Sequence, residues 1–177
     1  MMSHTALSLP LPDLTHERVE TRTGHRSGLV ITVALHSSAL GPALGGARLW
    51  TYPHWSDALG DALRLSSAMT LKNAAAGLDA GGGKSVIALE PGTVLDAERR
   101  RAAFLDLGDA VEALGGLYRT AEDVGSTTDD MLIVSERTDH VVGLPEAGGG
   151  SGEPAGPTSL GVYESSRATL ERVTGSA

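Results

Sequence analysis

The stretch LRLSSAMTLKNAAAGLDAGGGKSVIAL, residues 63–89, contains the transition that decides the fold. Apolar residues recur at helical spacing as far as about Gly77, and the segment Lys84–Leu89 is typical of a buried strand. A helix that begins near Ser56 therefore leads into a strand across a run of glycines.

Strands and helices continue to alternate along the rest of the chain. The pattern predicts an α/β domain with a mainly parallel, mixed sheet and helices on both faces, preceded by a hairpin-like start. The predicted strands are Arg18–Thr23, Leu29–His36, Ala47–Tyr52, Lys84–Leu89, Leu117–Thr120 and His140–Val142. The predicted helices begin at Ser56, Asp96 and Ser126, and a last helix spans Ser159–Val173.

Four segments of the chain differ in composition. Residues 1–16 contain two prolines and are predicted to form an N-terminal arm, followed by a folded domain at residues 17–143. Residues 144–158 are rich in glycine and proline, which is typical of a linker. Residues 159–177 are predicted to carry the C-terminal helix.

The composition narrows the classes of function. The chain has 177 residues, of which 41% are hydrophobic and 20% charged, so it is long enough to bury a core. A formal net charge of −8 disfavours nucleic acid as a partner. The absence of cysteine excludes disulfides and thiolate metal sites. No apolar run approaches the roughly 20 residues of a membrane span, and the start lacks a secretory signal pattern, so a cytoplasmic location is expected.

Lysine occurs only twice, at positions 72 and 84, whereas twelve of the fourteen side-chain cations are arginine. A buried lysine can lose its proton near neutral pH and act as a base, which an arginine does not do. Lys72 continues the apolar stripe of the first predicted helix, and Lys84 follows three glycines. We interpret both as candidate site residues, although compositional bias alone also leaves a few lysines in such a chain.

Familiar motifs for phosphates, dinucleotides and metals are absent from the sequence. The run Gly81–Ser85 lacks the earlier glycine of a P-loop, because Leu78 stands there, and it leads into a strand instead of a helix. No G-x-G-x-x-G fingerprint occurs, and the six histidines form no closely spaced pair. The glycines before Lys84 therefore either form a tight turn or let a ligand approach the backbone.

An acidic pair, Glu122 and Asp123, precedes a glycine and the third predicted helix. Asp123 lies three residues ahead of Ser126, which suits either a helix-capping role or a loop carboxylate directed at a cleft. The spacing alone leaves both interpretations open.

Three long stretches resemble one enzyme family, the leucine, valine, phenylalanine and glutamate dehydrogenases. They are ALGPALGGARLW (39–50), LRLSSAMTLKNAAAGLDAGGGKSVI (63–87) and GGLYRTAEDVGSTTDDM (115–131), with a weaker match in SLGVYESSR (159–167). The similarity is strongest to the leucine and valine members. It implies the α/β fold of their N-terminal substrate-binding and dimerisation domain, for which residues 17–143 are the candidate.

The resemblance implies a role for each matching motif residue. The lysine of the M-T-x-K segment, here Lys72, is expected to bind the substrate carboxylate. The lysine after the three glycines, here Lys84, is expected to activate water with a lowered pKa, and Asp123 to carry protons to the amino group and the substrate oxygen. The backbone of Gly45 and Gly46 is expected to line the substrate pocket.

The chain also departs from the family pattern. Ala47 stands where the family usually has threonine, and Glu153 replaces an asparagine in the hinge segment 151–158. The chain ends where such enzymes begin their Rossmann domain. We therefore expect it to bind no cofactor alone, with NAD implied only if a partner domain exists.

Three functions remain open at this point. The chain is part of an oxidative deaminase completed by a separate nucleotide-binding protein, or a cofactor-independent enzyme acting on amino acids, 2-oxo acids or imines, or a non-catalytic binding or assembly module. The intact Lys72, Lys84 and Asp123 disfavour the third. We expect a small amino acid or 2-oxo acid as ligand, a homo-oligomer, and neither nucleic acid nor membrane as a partner.

Overall fold

A computed structural model of the protein describes residues 14–148, 150, 152 and 154–175. Its strands are β1 (Arg18–Thr23), β2 (Val30–Ser37), β3 (Ala43–Thr51), β4 (Gly81–Leu89) and β5 (Tyr118–Glu122). Its helices are α1 (Trp55–Ala75), α2 (Ala97–Glu112), α3 (Thr128–Ser135) and α4 (Ala155–Thr174), with a short 3-10 helix at Glu146–Gly148. Most of the predicted N-terminal arm lies outside the described residues.

The five strands form one sheet in the order β1-β2-β4-β3-β5. Strand β2 runs antiparallel to both of its neighbours, whereas β3 runs parallel to β4 and β5. Four strands therefore point the same way and only β2 is reversed. The predicted mixed, mainly parallel sheet with a hairpin-like start is confirmed.

Helices cover both faces of the sheet, as predicted. Helix α1 packs on one face, where Ala58, Ala62 and Leu63 meet Ala34 and Val86. Helices α2 and α3 cover the other face and enclose the larger apolar cluster. The largest fully buried side chains are Tyr118, Phe104, Ile31, Ile87, Leu107 and Met131.

The glycine run before Lys84 is part of a strand and not a turn. Gly81, Gly82 and Gly83 are the first residues of β4 and all three are buried, which corrects the predicted strand start at Lys84. A Cβ on Gly82 would overlap the backbone of α1, and one on Gly83 would lie 2.6 Å from the ring of Tyr118. The missing side chains allow α1 and β5 to approach β4 closely.

Several predicted element boundaries were wrong by a few residues. Strand β3 begins at Ala43, four residues early, because its first half carries glycines instead of an alternating pattern. Helix α1 is capped by His54 instead of Ser56, and α3 by Thr127 instead of Ser126. In both helices an aspartate three residues further on accepts the N–H of the capping residue.

The C-terminal part of the chain also differs from the prediction. The predicted strand at 140–142 contributes only an isolated parallel bridge between Thr120 and Val141. Helix α4 begins at Ala155, so it includes the end of the predicted linker 144–158. None of the residues of α4 is buried against the domain.

Gly45 lies where β3 approaches β4 too closely for any side chain, since a Cβ there would overlap the carbonyl oxygen of Gly83. We expect Gly45→Ala to lower the free energy of unfolding by about 2 kcal/mol or more, because a backbone atom cannot move aside as a rotamer can. Urea denaturation followed by circular dichroism measures this difference. The control is Gly161→Ala in α4, where nothing lies within 4 Å. Equal stabilities of the two variants would contradict the packing argument.

Candidate active site

Lys84 lies on the central strand β4, on the face that α1 covers. Its side chain is only 5% exposed. Strands β2 and β3 flank it on either side. Because an isolated ammonium is costly to bury, a lysine at this depth needs a counter-ion.

Asp123 supplies that counter-ion from the loop that follows β5. Its Oδ2 lies 2.9 Å from Nζ of Lys84. The loop is fixed because the N–H of Asp123 donates to Oγ of Ser126, at 2.8 Å, and that hydroxyl donates to the carbonyl oxygen of Ala47, at 2.7 Å. Thr127 caps α3, so the Asp123 carboxylate is directed at the lysine and does not cap the helix.

Sequence reasoning missed a second pair of charges beside these residues. Arg48 Nε donates to Oδ2 of Asp123 at 3.0 Å, and its Nη1 donates to Oδ2 of Asp61 at 2.8 Å. The Tyr52 hydroxyl donates to that same Asp61 oxygen at 2.8 Å. The available signal was the alternation along β3, which places Gly46 and Arg48 on the face of the sheet that carries Lys84.

The surroundings of Lys84 and Asp123 shift the pKa values of both side chains. Burial lowers the pKa of Lys84, and the nearby Arg48 guanidinium acts in the same direction, although Asp123 partly offsets both. Burial alone would raise the pKa of Asp123, but the hydrogen bonds and charges of Lys84 and Arg48 outweigh it and hold that pKa below its usual value. Asp123 therefore stays ionised at neutral pH, while Lys84 releases its proton more readily than a free lysine.

Lys72 lies in the last turn of α1, where its side chain is exposed. Its ammonium makes no ion pair or hydrogen bond within the part of the chain that the structure describes. The buried residue of this turn is Asn73, whose Nδ2 donates to the carbonyl oxygens of Gly81, at 2.6 Å, and Leu44, at 3.2 Å. The cation whose charge acts on Lys84 is Arg48.

Gly45 and Gly46 are both buried in β3. The carbonyl oxygen of Gly45 accepts the hydroxyl of Tyr118 at 2.9 Å, and burial raises the pKa of Tyr118 to about 12, so this hydroxyl remains a donor. A Cβ on Gly46 would lie 2.7 Å from Cβ of Asp123. Gly46 therefore allows β3 and the Asp123 loop to approach each other closely.

Ala47, which stands where the family usually has threonine, lies away from the cluster of Lys84, Asp123 and Arg48. Ala47 is fully buried in the apolar core on the opposite face of the sheet. The other departure, at Glu153, lies outside the described residues. The side chain at position 47 therefore does not face Lys84.

The described residues give no indication of a metal site or of a membrane-spanning helix. No three histidine or acidic side chains there are grouped to hold a metal ion. No helix among those residues has the length and apolar character needed to cross a membrane.

Comparison with known proteins connects this site to an enzyme family. A sequence profile described as the Glu/Leu/Phe/Val dehydrogenase dimerisation domain matches residues 15–140. The chain belongs to this family. The matched segment contains Lys72, Lys84 and Asp123, together with the glycines of β3 and β4.

Individual relatives are similar over nearly the whole chain. The chain is 45% identical to leucine dehydrogenase of Bacillus cereus, over 90% of its own length and 43% of the relative's. It is 42% identical to valine dehydrogenase of Streptomyces coelicolor, with the same coverage of 90% and 43%. The crystal structure of L-tryptophan dehydrogenase from Nostoc punctiforme matches with a TM-score of 0.68 at 36% identity, covering 89% of this chain and 42% of that one. The chain spans less than half the length of these relatives.

The titration of Lys84 can be measured directly, because the chain has only two lysines. In competitive amine acetylation as a function of pH, we expect the midpoint for Lys84 to fall below that of N-acetyl-lysine amide in the same reaction, since burial lowers its pKa. Asp123→Asn should move the midpoint further down, because it removes the anion that favours the ammonium. A Lys84 midpoint equal to that of the reference amine would contradict the burial argument.

Proposed function

We propose that this chain is the substrate-binding part of an amino-acid dehydrogenase, which deaminates a branched-chain L-amino acid to its 2-oxo acid. The observation that carries the proposal is the buried Lys84 ammonium, 2.9 Å from the Asp123 carboxylate. These are the groups needed to move protons during the addition of water to an imine. The leucine and valine dehydrogenases among the relatives support a branched-chain substrate.

Substrate binding is assigned to Lys72 and to the double glycine. The ammonium of Lys72 is exposed and has no partner among the described residues, so it is available for a charge-assisted bond to an α-carboxylate. In this proposal the backbone of Gly45 and Gly46 lines the pocket, and a side chain on Gly46 would displace Asp123. In this proposal the substrate lies with its carboxylate at Lys72 and its amino group towards Asp123.

Lys84 and Asp123 perform the proton transfers. Neutral Lys84 takes a proton from water while the water oxygen forms a bond to C2 of the protonated substrate imine. Asp123 then takes the proton of the new C2 hydroxyl at its open oxygen and carries it to the substrate nitrogen. As the bond between C2 and nitrogen breaks, the double bond between C2 and oxygen forms, ammonia leaves with that proton, and the 2-oxo acid remains.

Among the described residues, the glycine run before Lys84 does not form a dinucleotide site. A pyrophosphate is held where a glycine turn connects a strand to a helix N-terminus, whereas Gly81–Gly83 lie inside a strand. NAD, which the family implies, would accept the hydride on another domain or chain. The dimerisation domain that matches the chain supports a homo-oligomer as its assembled form.

A second candidate is the proton chemistry alone, without any redox step. It is favoured by one observation: Lys84, Asp123 and Arg48 are brought together entirely within this chain. Such an enzyme would hydrate 2-oxo acids or hydrolyse imines with no nicotinamide. Net turnover of an imine by the chain alone would favour this candidate, whereas turnover of amino acids only with an added nucleotide-binding protein and NAD would favour the first.

The carboxylate role of Lys72 is tested by binding. We expect Lys72→Ala to weaken the binding of 4-methyl-2-oxopentanoate about tenfold, because a hydrogen bond to a charged group is lost. Lys72→Arg is the control, since it retains the positive charge. Isothermal titration calorimetry gives both affinities. Equal affinities for wild type and Lys72→Ala would remove Lys72 from the site.

The proton role of Asp123 is tested by exchange of oxygen. Hydration of a 2-oxo acid and its reversal replace the carbonyl oxygen with oxygen from H2¹⁸O, and mass spectrometry follows this exchange without a cofactor. We expect Asp123→Asn to bind the 2-oxo acid nearly as well as wild type while losing at least about a hundredfold in enzyme-catalysed exchange. Exchange at the wild-type rate in Asp123→Asn would contradict the assignment.

A further inference from the structure

The two oxygens of Asp123 have different surroundings. Both cations, Lys84 and Arg48, contact Oδ2. Oδ1 accepts no hydrogen bond from any described residue. The buried side-chain atoms without a partner in that part of the chain are Nδ1 of His16 and Oε2 of Glu122. Oδ1 of Asp123 is not among them, so it is open to solvent and to a ligand.

Arg48 holds its position because it is bound at both ends. One end of the guanidinium donates to Asp123 and the other to Asp61 on α1. Asp61 is itself bound by the Tyr52 hydroxyl and by Arg64. Since the guanidinium is planar and rigid, these contacts fix the direction from which Arg48 meets the Asp123 carboxylate.

Lys84 alone would not fix that carboxylate. A single contact leaves rotation about the Cβ–Cγ bond of Asp123, which exchanges its two oxygens. A second donor, arriving from β3 at the same oxygen, opposes this rotation. The oxygen that moves the proton to the substrate then stays on the open side.

From this geometry we propose that Arg48 is a positioning residue: bridging Asp61 and Asp123, it holds Oδ2 of Asp123 beside Lys84 and directs Oδ1 towards the substrate. The inference rests on the proposed function, because it deepens the role of Asp123 in the same reaction. Arg48 does not touch the substrate in this account. Asp61 and Tyr52 act one step further away by keeping Arg48 in place.

The charged groups that act on Lys84 come from three directions. They are Asp123 after β5, Arg48 from β3 and Asp61 from α1, whereas β2 places the uncharged Ala34 opposite Lys84. Removing Arg48 takes a positive charge from beside Lys84, and removing Asp61 takes a negative one. The two changes therefore shift the titration of Lys84 in opposite directions, which damage to the fold alone would not produce.

The experiment uses the full chain with ¹³C-labelled lysine and aspartate. NMR titration follows Cε of Lys84 and Cγ of Asp123, and Lys72 is the second lysine signal. We expect Arg48→Gln to raise the midpoints of both residues by about one pH unit and to slow ¹⁸O exchange roughly a hundredfold. Asp61→Asn should lower the Lys84 midpoint instead. Arg48→Lys retains the charge but replaces the two separated donors, Nε and Nη1, with one nitrogen on a flexible chain, so it should preserve the midpoints and still slow the exchange.

A matched control removes a similar ion pair elsewhere in the protein. Arg100 pairs with the buried Asp130 between α2 and α3, and Arg100→Gln should leave both midpoints and the exchange rate per folded molecule unchanged. Wild-type exchange in a folded Arg48→Lys would overturn the positioning role. If wild type itself shows no exchange, the proposed function fails. In that case an Asp123 midpoint unchanged in Arg48→Gln would overturn the inference as well.

Discussion

The structure depends on the close approach of three elements to the first half of β4, where there are no side chains to keep them apart. Gly82 admits the backbone of α1, Gly83 admits the ring of Tyr118, and Gly45 admits the carbonyl oxygen of Gly83. This packing encloses Lys84, the next residue of the strand. The burial of that ammonium, its need for Asp123 and the lowering of its pKa are all consequences of the glycines. The site therefore depends on glycines, whose lack of a side chain makes this packing possible.

The charged groups around Lys84 form one connected cluster. Two cations, Lys84 and Arg48, pair with two carboxylates, Asp61 and Asp123, and the exposed Arg64 is a third cation, bound to Asp61. A lone buried ion pair is weak support for stability, because the cost of desolvation cancels much of the attraction. Here the pairs connect β3, α1 and the loop after β5, and they hold these three elements in fixed relative positions. Such an arrangement is better suited to orienting a carboxylate than to stabilising the fold.

The sequence predicted the layers of this fold well, because the hydrophobic pattern of each helix or strand repeats within its own short segment. The strand start at Gly81 escaped prediction, since glycines carry no hydrophobic alternation and are typical of turns. Lys84 was singled out by the rarity of lysine, the resemblance of whole motifs to a family added the roles of Lys84 and Asp123, and the structure brings the two side chains together. Arg48 was missed because its contact with Asp123 joins residues 75 positions apart and depends on the register of β3 with β5. The apolar stripe of α1 also misplaced Lys72, because the buried face at the end of that helix belongs to Asn73.

The position of β4 at the centre of the sheet has a consequence for motion. Proteins open locally at edges, termini and loops, whereas a central strand paired on both sides opens only with the cooperative unit to which it belongs. Lys84 lies on such a strand, between β2 and β3. Lys72, at the exposed end of a helix, is free to fluctuate sooner, whereas the loop of Asp123 is hydrogen-bonded through Ser126 to Ala47 of β3. Lys84 thus provides a fixed reference point, to which Asp123 is tied and relative to which Lys72 moves.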